Sequence, residues 1–92
     1  MQPYPYGYDP VVRFPEEINK DVITRLRRLE GQIRGLQRLV EDGSECRDVV
    51  TQLAAAKGAL DRIGFKLMAA ALSTADADTD TSELERLFLK LS

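Results

Sequence analysis

Arginine and lysine dominate the stretch from Lys20 to Arg38, and such side chains can neutralise phosphate groups. Six basic residues stand there against two acidic ones, a local charge of +4 in a chain of 92 residues with net charge −2. At about 100° per residue, four of the six fall within about 40° of one another on a helix. This basic stripe consists of Lys20, Arg27, Arg34 and Arg38. The asymmetry indicates a specific anionic partner, with a merely solvated helix face as the alternative.

Cys46 is the only thiol, and the chain has no histidine. An internal disulfide is therefore excluded, and the commonest general base and metal ligand is missing. Cys46 is expected at the start of a helix, where the helix dipole lowers a thiol pKa and favours reactivity. The alternative is a small, inert, buried hydrophobe. Because no paired carboxylates can be placed in a pocket, an enzyme is the least favoured class of function.

A helix is needed to display the basic stripe, and its opposite side is apolar. Six apolar residues recur there at steps of four and three, which predicts one helical seam. They are Val22, Leu26, Leu29, Ile33, Leu36 and Val40. The helix is expected to begin between residues 18 and 20 with Asn19 as its cap. It should end before Glu41, and Gly43 suits its C-terminus.

Two further helices are predicted downstream. Ser44 suits the N-cap of a long helix over residues 45–72. Its seam again repeats at steps of four and three, through Val49, Leu53, Ala56, Leu60, Ile63 and Leu67. Residues 73–81 are small and acidic and read as a linker. Residues 82–91 should form a short third helix capped by Asp80 or Ser82, and Ser82 to Glu85 fits a capping box.

The chain divides into an arm and one helical domain. Residues 1–17 hold all four prolines and all three tyrosines, which predicts a disordered or extended arm. The alternative is an arm that docks on a subunit or on DNA. Residues 18–92 form a single all-α domain with three helices. Its leftover apolar seam favours antiparallel hairpins paired into a four-helix bundle. No apolar run suits a membrane span or a signal region, so a cytoplasmic protein is expected.

The segment RLRRLEGQIRGLQRLVEDGSEC at residues 25–46, followed by DVVTQLAAAKGALDRIG at residues 48–64, resembles the CsoR/RcnR family of bacterial transcriptional repressors. The resemblance covers residues 20–72. It implies dimers of antiparallel helices, usually assembled as flat tetramers, that bind operator DNA and release it when an inducer reacts between subunits. Residues that match Arg25 and Arg62 contribute to DNA binding in the family. The DNA-binding residues expected here are Arg25, Arg27, Arg28, Arg34, Arg38, Lys57 and Arg62. For Lys57, an ion pair with Asp61 is the alternative role.

The inducer site is where this sequence departs from the family. In the copper sensors of the family, the cysteine that matches Cys46 is joined by a histidine and a second cysteine, and Ala71 and Ala75 stand at those positions. Cu(I) prefers thiolate and imidazole ligands. The nickel and cobalt sites need histidines, and persulfide sensing needs the second cysteine. The resemblance therefore implies a repressor that has lost the metal site and needs no cofactor.

The inducer stays open at this point. Cys46 is the candidate sensing residue, for an electrophile or an oxidant. Met68, one turn before the missing histidine position, is expected to be part of the core. The alternative function is a helical scaffold or hetero-oligomer partner that kept the fold without regulation.

Overall fold

The computed structural model describes residues 13–74 and 81–92, and within them every regular element is an α-helix. The helices are α1 (Glu16–Glu41), α2 (Cys46–Thr74) and α3 (Thr81–Leu89). The predicted all-α chain of three helices is thus confirmed. Most of the predicted arm, residues 1–12, lies outside the described residues, and the division into arm and domain remains a prediction.

Helix α1 begins earlier than the sequence suggested. Its N-cap is Pro15, so the assignment of that role to Asn19 was wrong. Asn19 lies in the first turn, where its backbone N–H donates to the Pro15 carbonyl oxygen at 3.0 Å. Proline suits this position because its missing N–H would have no helical partner, and Glu16 and Glu17 favour the positive end of the helix dipole.

The turn that joins α1 to α2 is the one the glycine predicted. Gly43 has a φ of +67°, a conformation that other residues adopt only at a cost. The backbone N–H groups of Gly43 and Ser44 donate to the carbonyl oxygens of Val40 and Leu39 at 3.1 and 3.0 Å. These bonds satisfy carbonyls that the end of a helix leaves without partners.

Helix α2 starts and ends later than predicted. The residue before it is Glu45, whose carbonyl oxygen accepts hydrogen bonds from two backbone N–H groups of the first turn, so Ser44 is not the cap. At the other end, the hydroxyl of Ser73 donates to Ala70, and that of Thr74 to Ala70 and Ala71, at 3.0–3.1 Å. These bonds to preceding carbonyls accompany a helix that extends two residues into the predicted linker. The rest of that linker, residues 75–80, lies outside the described residues.

Helix α3 covers most of the predicted segment but begins one residue earlier. Ser82 therefore lies inside the first turn, and the capping box with Ser82 as N-cap was wrong. The alternative cap, Asp80, lies outside the described residues. Leu84 is buried, and Leu91, just beyond the helix, approaches Gly64 of α2 so closely that a Cβ there would lie 3.1 Å from its Cδ1 atom. Because Gly64 has no side chain, Leu91 after the end of α3 can pack against α2.

The core lies between α1 and α2 and is narrow. Its buried members are Val22, Leu29, Ala56 and Ile63, flanked by the half-buried Ile18, Leu26, Ala59 and Leu67. Other residues of the two predicted seams are largely exposed in the single chain: Ile33, Val40, Leu53 and Leu60. Each helix thus buries one line of its apolar side in the hairpin. No helix of the described residues is long and apolar enough to cross a membrane.

Candidate nucleic-acid interface

Three arginines from two helices meet at one cleft beside the core. Arg25 and Arg28 of α1 and Arg62 of α2 line a cleft of about 260 Å³. Its floor is formed by core and core-flanking residues, including Leu29, Ala59 and Ile63. The antiparallel hairpin brings Arg62 opposite arginines that stand more than thirty positions earlier in the chain. The cleft therefore gathers three guanidinium groups that could share one anionic ligand.

Arg62 lies close along its own helix. A Cβ placed on Gly58, one turn earlier, would lie 3.6 and 3.9 Å from the two terminal nitrogens of Arg62. Because Gly58 has no side chain, the guanidinium can rest near the backbone of α2. This places the guanidinium beside the cleft, although the residue as a whole remains exposed.

Arg25 is held by a carboxylate. Its Nε donates to both carboxylate oxygens of Asp21 at 3.3 Å, and Lys66 of α2 lies 3.1 Å from the same carboxylate. The hydrogen bond from Lys66 is the largest effect and holds the pKa of Asp21 below its usual value. Desolvation opposes it as the second-largest effect, and the hydrogen bond and charge of Arg25 lower the pKa further. Asp21 therefore stays ionised at neutral pH and ties α1 to α2 one turn from the cleft.

Gln32 brings an unsatisfied group to the cleft. Its Oε1 atom is buried and finds no hydrogen-bond partner among residues 13–74 and 81–92. Buried acceptors are usually paired, so this oxygen is available to a donor. Arg28, one turn earlier on α1, and Arg62 across the cleft both carry such donors. The described chain thus leaves the cleft with excess positive charge and one open acceptor.

The other predicted DNA-binding residues do not line this cleft. Arg27, Arg34 and Arg38 are exposed along α1. Arg34 pairs with Glu30 at 3.5 Å, but both side chains are more than 60% exposed, so the pair contributes little. Lys57 is exposed on α2, and the alternative ion pair with Asp61 is not among those formed in the described residues. The predicted DNA-binding residues therefore form two groups. One is the cleft of three arginines, and the other is an exposed outer row that consists of Arg27, Arg34, Arg38 and Lys57.

Cys46 is the first residue of α2 and is exposed in the single chain. The burial that its inert role would require is thus not found within one chain.

Ala71, at the position expected to match the family histidine, is 2% exposed, and Ala75 lies outside the described residues. Met68 is half-buried beside α3. In the part of the chain that the structure describes, no three Cys, Asp or Glu side chains stand close enough to hold a metal ion.

Three residues at or beside the cleft were not found from the sequence: Asp21, Gln32 and Lys66. Two of them carried a usable signal. Asp21 precedes Arg25 by four positions and Lys66 follows Arg62 by four, the spacing that places side chains next to each other on a helix. Gln32 had no such signal, because its importance comes from burial at the helix contact.

Comparison with known proteins shows which family the chain resembles. The family model described as "Metal-sensitive transcriptional repressor" matches residues 18–90. The copper-sensing transcriptional repressor CsoR of Bacillus subtilis is 35% identical, in an alignment that covers 79% of this chain and 81% of the relative. The copper-sensing transcriptional repressor RicR of Mycobacterium tuberculosis is 46% identical over 48% of this chain and 46% of its own length. No solved structure gives a significant match.

Proposed function

The chain belongs to the family of metal-sensitive transcriptional repressors, and we propose that it binds operator DNA through the arginine cleft. The observation that carries this proposal is the convergence of Arg25, Arg28 and Arg62 at one cleft. Guanidinium groups offer paired donors to phosphate, and their binding to DNA is favoured by the release of counterions. The exposed arginines of α1 would extend the contact along the duplex backbone, a role consistent with a protein that works on cytoplasmic DNA.

The cleft and the outer row are expected to differ in what they contribute. Convergent side chains on two packed helices lose less conformational freedom when they bind a phosphate than isolated exposed arginines do. Arg27, Arg34 and Arg38, with Lys57, should therefore add mainly long-range attraction. All seven residues fit contacts to the DNA backbone, with sequence preference arising largely from duplex shape.

The experiment is fluorescence anisotropy with a labelled duplex from the region upstream of the protein's own coding sequence, repeated across salt concentrations. Arg25→Ala and Arg62→Ala should each weaken binding about tenfold and lower the salt-dependence slope by about one. Arg47→Ala is the matched control, since it removes the same charge from α2 about 22 Å along the helix from Arg62. Wild-type protein that forms no salt-dependent complex, or that co-purifies with a protein partner and leaves no DNA footprint, would overturn the proposal.

A homodimer, assembled further into a homotetramer, is part of the proposal. The hairpin leaves large apolar side chains exposed on both helices, among them Val40, Val50, Leu53 and Leu60. A surface of this kind on a small helical chain is typical of an interface. A second copy of the chain fits it best, because pairing two hairpins makes a four-helix bundle. Several copies would also present several arginine clefts to one duplex.

The family's metal site does not fit the residues present. The whole chain has one cysteine and no histidine, and Ala71 offers a buried methyl group where a ligand would stand. Thiolate and imidazole are the donors that Cu(I), Ni(II) and Co(II) take in the family sites, so one thiol cannot supply such a site. We therefore propose a repressor without the family metal site.

Cys46 is the proposed sensing residue in its place. Its thiol is exposed at the N-terminus of α2, so an electrophile or an oxidant can reach it from solvent. Cys46→Ala should keep DNA affinity but lose any release caused by an electrophile such as formaldehyde or by an oxidant. Equal responses of wild type and Cys46→Ala, or no response in either, would rule out this role, and tight stoichiometric Cu(I) binding would contradict the loss of the metal site.

A further inference from the structure

Asp21 contacts both helices of the hairpin at once. Its carboxylate accepts one bifurcated hydrogen bond from the Nε–H of Arg25, at 3.3 Å to each oxygen, and Nζ of Lys66 lies 3.1 Å from Oδ2. All three side chains are about 40% exposed, so the cluster is partly shielded from water. An ion pair under such conditions is worth more than a fully exposed pair.

The cluster stands one helical turn from the arginine cleft. Arg25 follows Asp21 by four residues on α1, and Arg62 precedes Lys66 by four on α2. The two helices thus face each other at two neighbouring levels. At one level Arg25 and Arg62 line the same cleft and repel each other, and at the next Asp21 and Lys66 attract. The attraction offsets part of the repulsion that the cleft builds into the hairpin.

The atoms used by Asp21 matter for Arg25. Because the carboxylate takes Nε, the two terminal amino nitrogens of the guanidinium are left for a ligand in the cleft. The same carboxylate is anchored to α2 through Lys66, so it fixes Arg25 relative to the helix that carries Arg62. A phosphate would therefore meet an Arg25 guanidinium whose position relative to α2 is already set.

We propose that Asp21 is a positioning residue for DNA binding, which orients Arg25 toward phosphate and fixes it against the helix that carries Arg62. The proposal rests on the proposed DNA-binding function of the cleft. It predicts a change in DNA affinity opposite in direction to the one that charge alone would produce. A carboxylate near DNA should repel phosphate, so its removal should tighten binding if charge alone decided the outcome. A positioning role requires that its removal weakens binding.

Asp21→Asn should weaken operator binding about tenfold and reduce the salt-dependence slope by about one, because the ordered contact from Arg25 is lost. Glu16→Gln is the matched control. It removes the same charge from α1, from an exposed pair with Lys20 at 3.6 Å that does not touch the cleft. Its binding should be unchanged or slightly tighter. Asp21→Asn with unchanged or tighter binding would overturn the proposal.

A charge swap separates positioning of Arg25 from bridging of the helices. Asp21→Lys combined with Lys66→Asp keeps the net charge and allows the bridge between helices to form in reverse, but it places a lysine beside Arg25. Binding should stay weakened in the swapped protein. Full recovery would show that the bridge alone matters and would overturn the role of Arg25.

The NMR signal of Arg25 Hε tests the positioning without DNA. It should exchange slowly with water in wild type and rapidly in Asp21→Asn. Equal exchange in the two proteins would overturn the proposal whether or not DNA binds. Slow exchange in a wild type that forms no salt-dependent DNA complex would instead place the failure in the proposed function.

Discussion

The two ends of the α1–α2 hairpin are packed to different degrees. At the end where α1 begins, Val22 and Leu29 are buried against α2, where Ile63 is only 4% exposed, and the arginine cleft lies beside them. At the end near Gly43, Val40 is 61% exposed and Leu53 is 52% exposed. At the first end the chain itself buries one line of apolar residues, while Ile23 and Phe65 stay exposed on other sides of the helices. The second end is apolar and uncovered, and Cys46 lies there.

The difference corresponds to the two proposed roles of the hairpin, which are binding of phosphate and binding of a partner subunit. Residues that contact a phosphate must be held in place before the ligand arrives, which a packed core provides. Residues that bind a partner subunit must stay accessible until the subunit arrives. Cys46 is exposed at this second, uncovered end, so a reaction of its thiol would alter the association of subunits. This links the proposed sensing by Cys46 to the proposed binding of DNA.

The largest effect is expected from charging the exposed apolar residues of the α2 seam, which include Leu53 and Leu60 and run from the end near Gly43 toward the packed end. In the double variant Leu53→Glu/Leu60→Glu, two carboxylates would be buried without partners in the proposed interface, at a cost of several kcal/mol each. The dissociation constant of the dimer should rise more than about a thousandfold in sedimentation equilibrium, with DNA binding lost as well. Ala69→Glu, about 180° away around α2, is the control and should leave association intact. A double variant that still associates like wild type would remove this surface from the interface.

The next effect compares two neighbours on α2. Ile63→Ala should lower the free energy of unfolding by about 2–4 kcal/mol, because it leaves a cavity in the hairpin core. Leu60→Ala, at a residue that is 54% exposed, should cost less than about 1 kcal/mol within the chain and instead weaken association. Urea unfolding and sedimentation of both variants test the contrast. If Leu60→Ala destabilises as much as Ile63→Ala without changing association, the two surfaces are not separate.

Much of the fold followed from periodicity, and less of the site did. The helices and the turn at Gly43 were predicted because apolar spacing and a left-handed position leave a direct mark on the sequence. The caps at Asn19 and Ser44 were wrong because several polar residues near a helix end suit that role, and tertiary context selects among them. The bridge from Asp21 to Lys66 depends on the register of two helices, which a one-chain pattern does not define.

The seams show the same limit. Their spacing correctly marked apolar sides, but it did not tell which members face the other helix and which face outward. Ile63 and Leu60 are both seam residues, and only the geometry of the hairpin separates them. The family resemblance predicted Arg25 and Arg62 as DNA contacts, which stays a prediction, while their convergence with Arg28 around one cleft required the packed helices.

A smaller effect is expected at two glycines, one inside α1 and the other in the turn that joins α1 to α2. In Gly31→Ala, the new Cβ would meet no atom within 4 Å, so the protein should gain up to about 1 kcal/mol from helix propensity. Gly43→Ala should lose about 1 kcal/mol, because φ is +67° at the uncovered end. Urea unfolding measures both. A loss at Gly31 would reveal a close contact there in the assembled protein, and no loss at Gly43 would mean that the turn tolerates rearrangement.

The smallest expected effect is the acid response of the cluster around Asp21. Hydrogen bonds from Lys66 and Arg25 hold the pKa of Asp21 below its unfolded value of about 3.9. A group with a lowered pKa in the folded state contributes its stability fully above the unfolded value and loses it as pH falls through the folded value. The urea midpoint of wild type should therefore fall more between pH 5 and pH 3 than that of Asp21→Asn, on the order of a few tenths of a molar at most. Glu16→Gln should not reproduce the difference, because the pair of Glu16 with Lys20 is highly exposed and does not join the two helices. If wild type and Asp21→Asn show the same pH dependence, the carboxylate is solvated too well to hold the two helices together. The difference in packing between the two ends of the hairpin would then come from the apolar core alone.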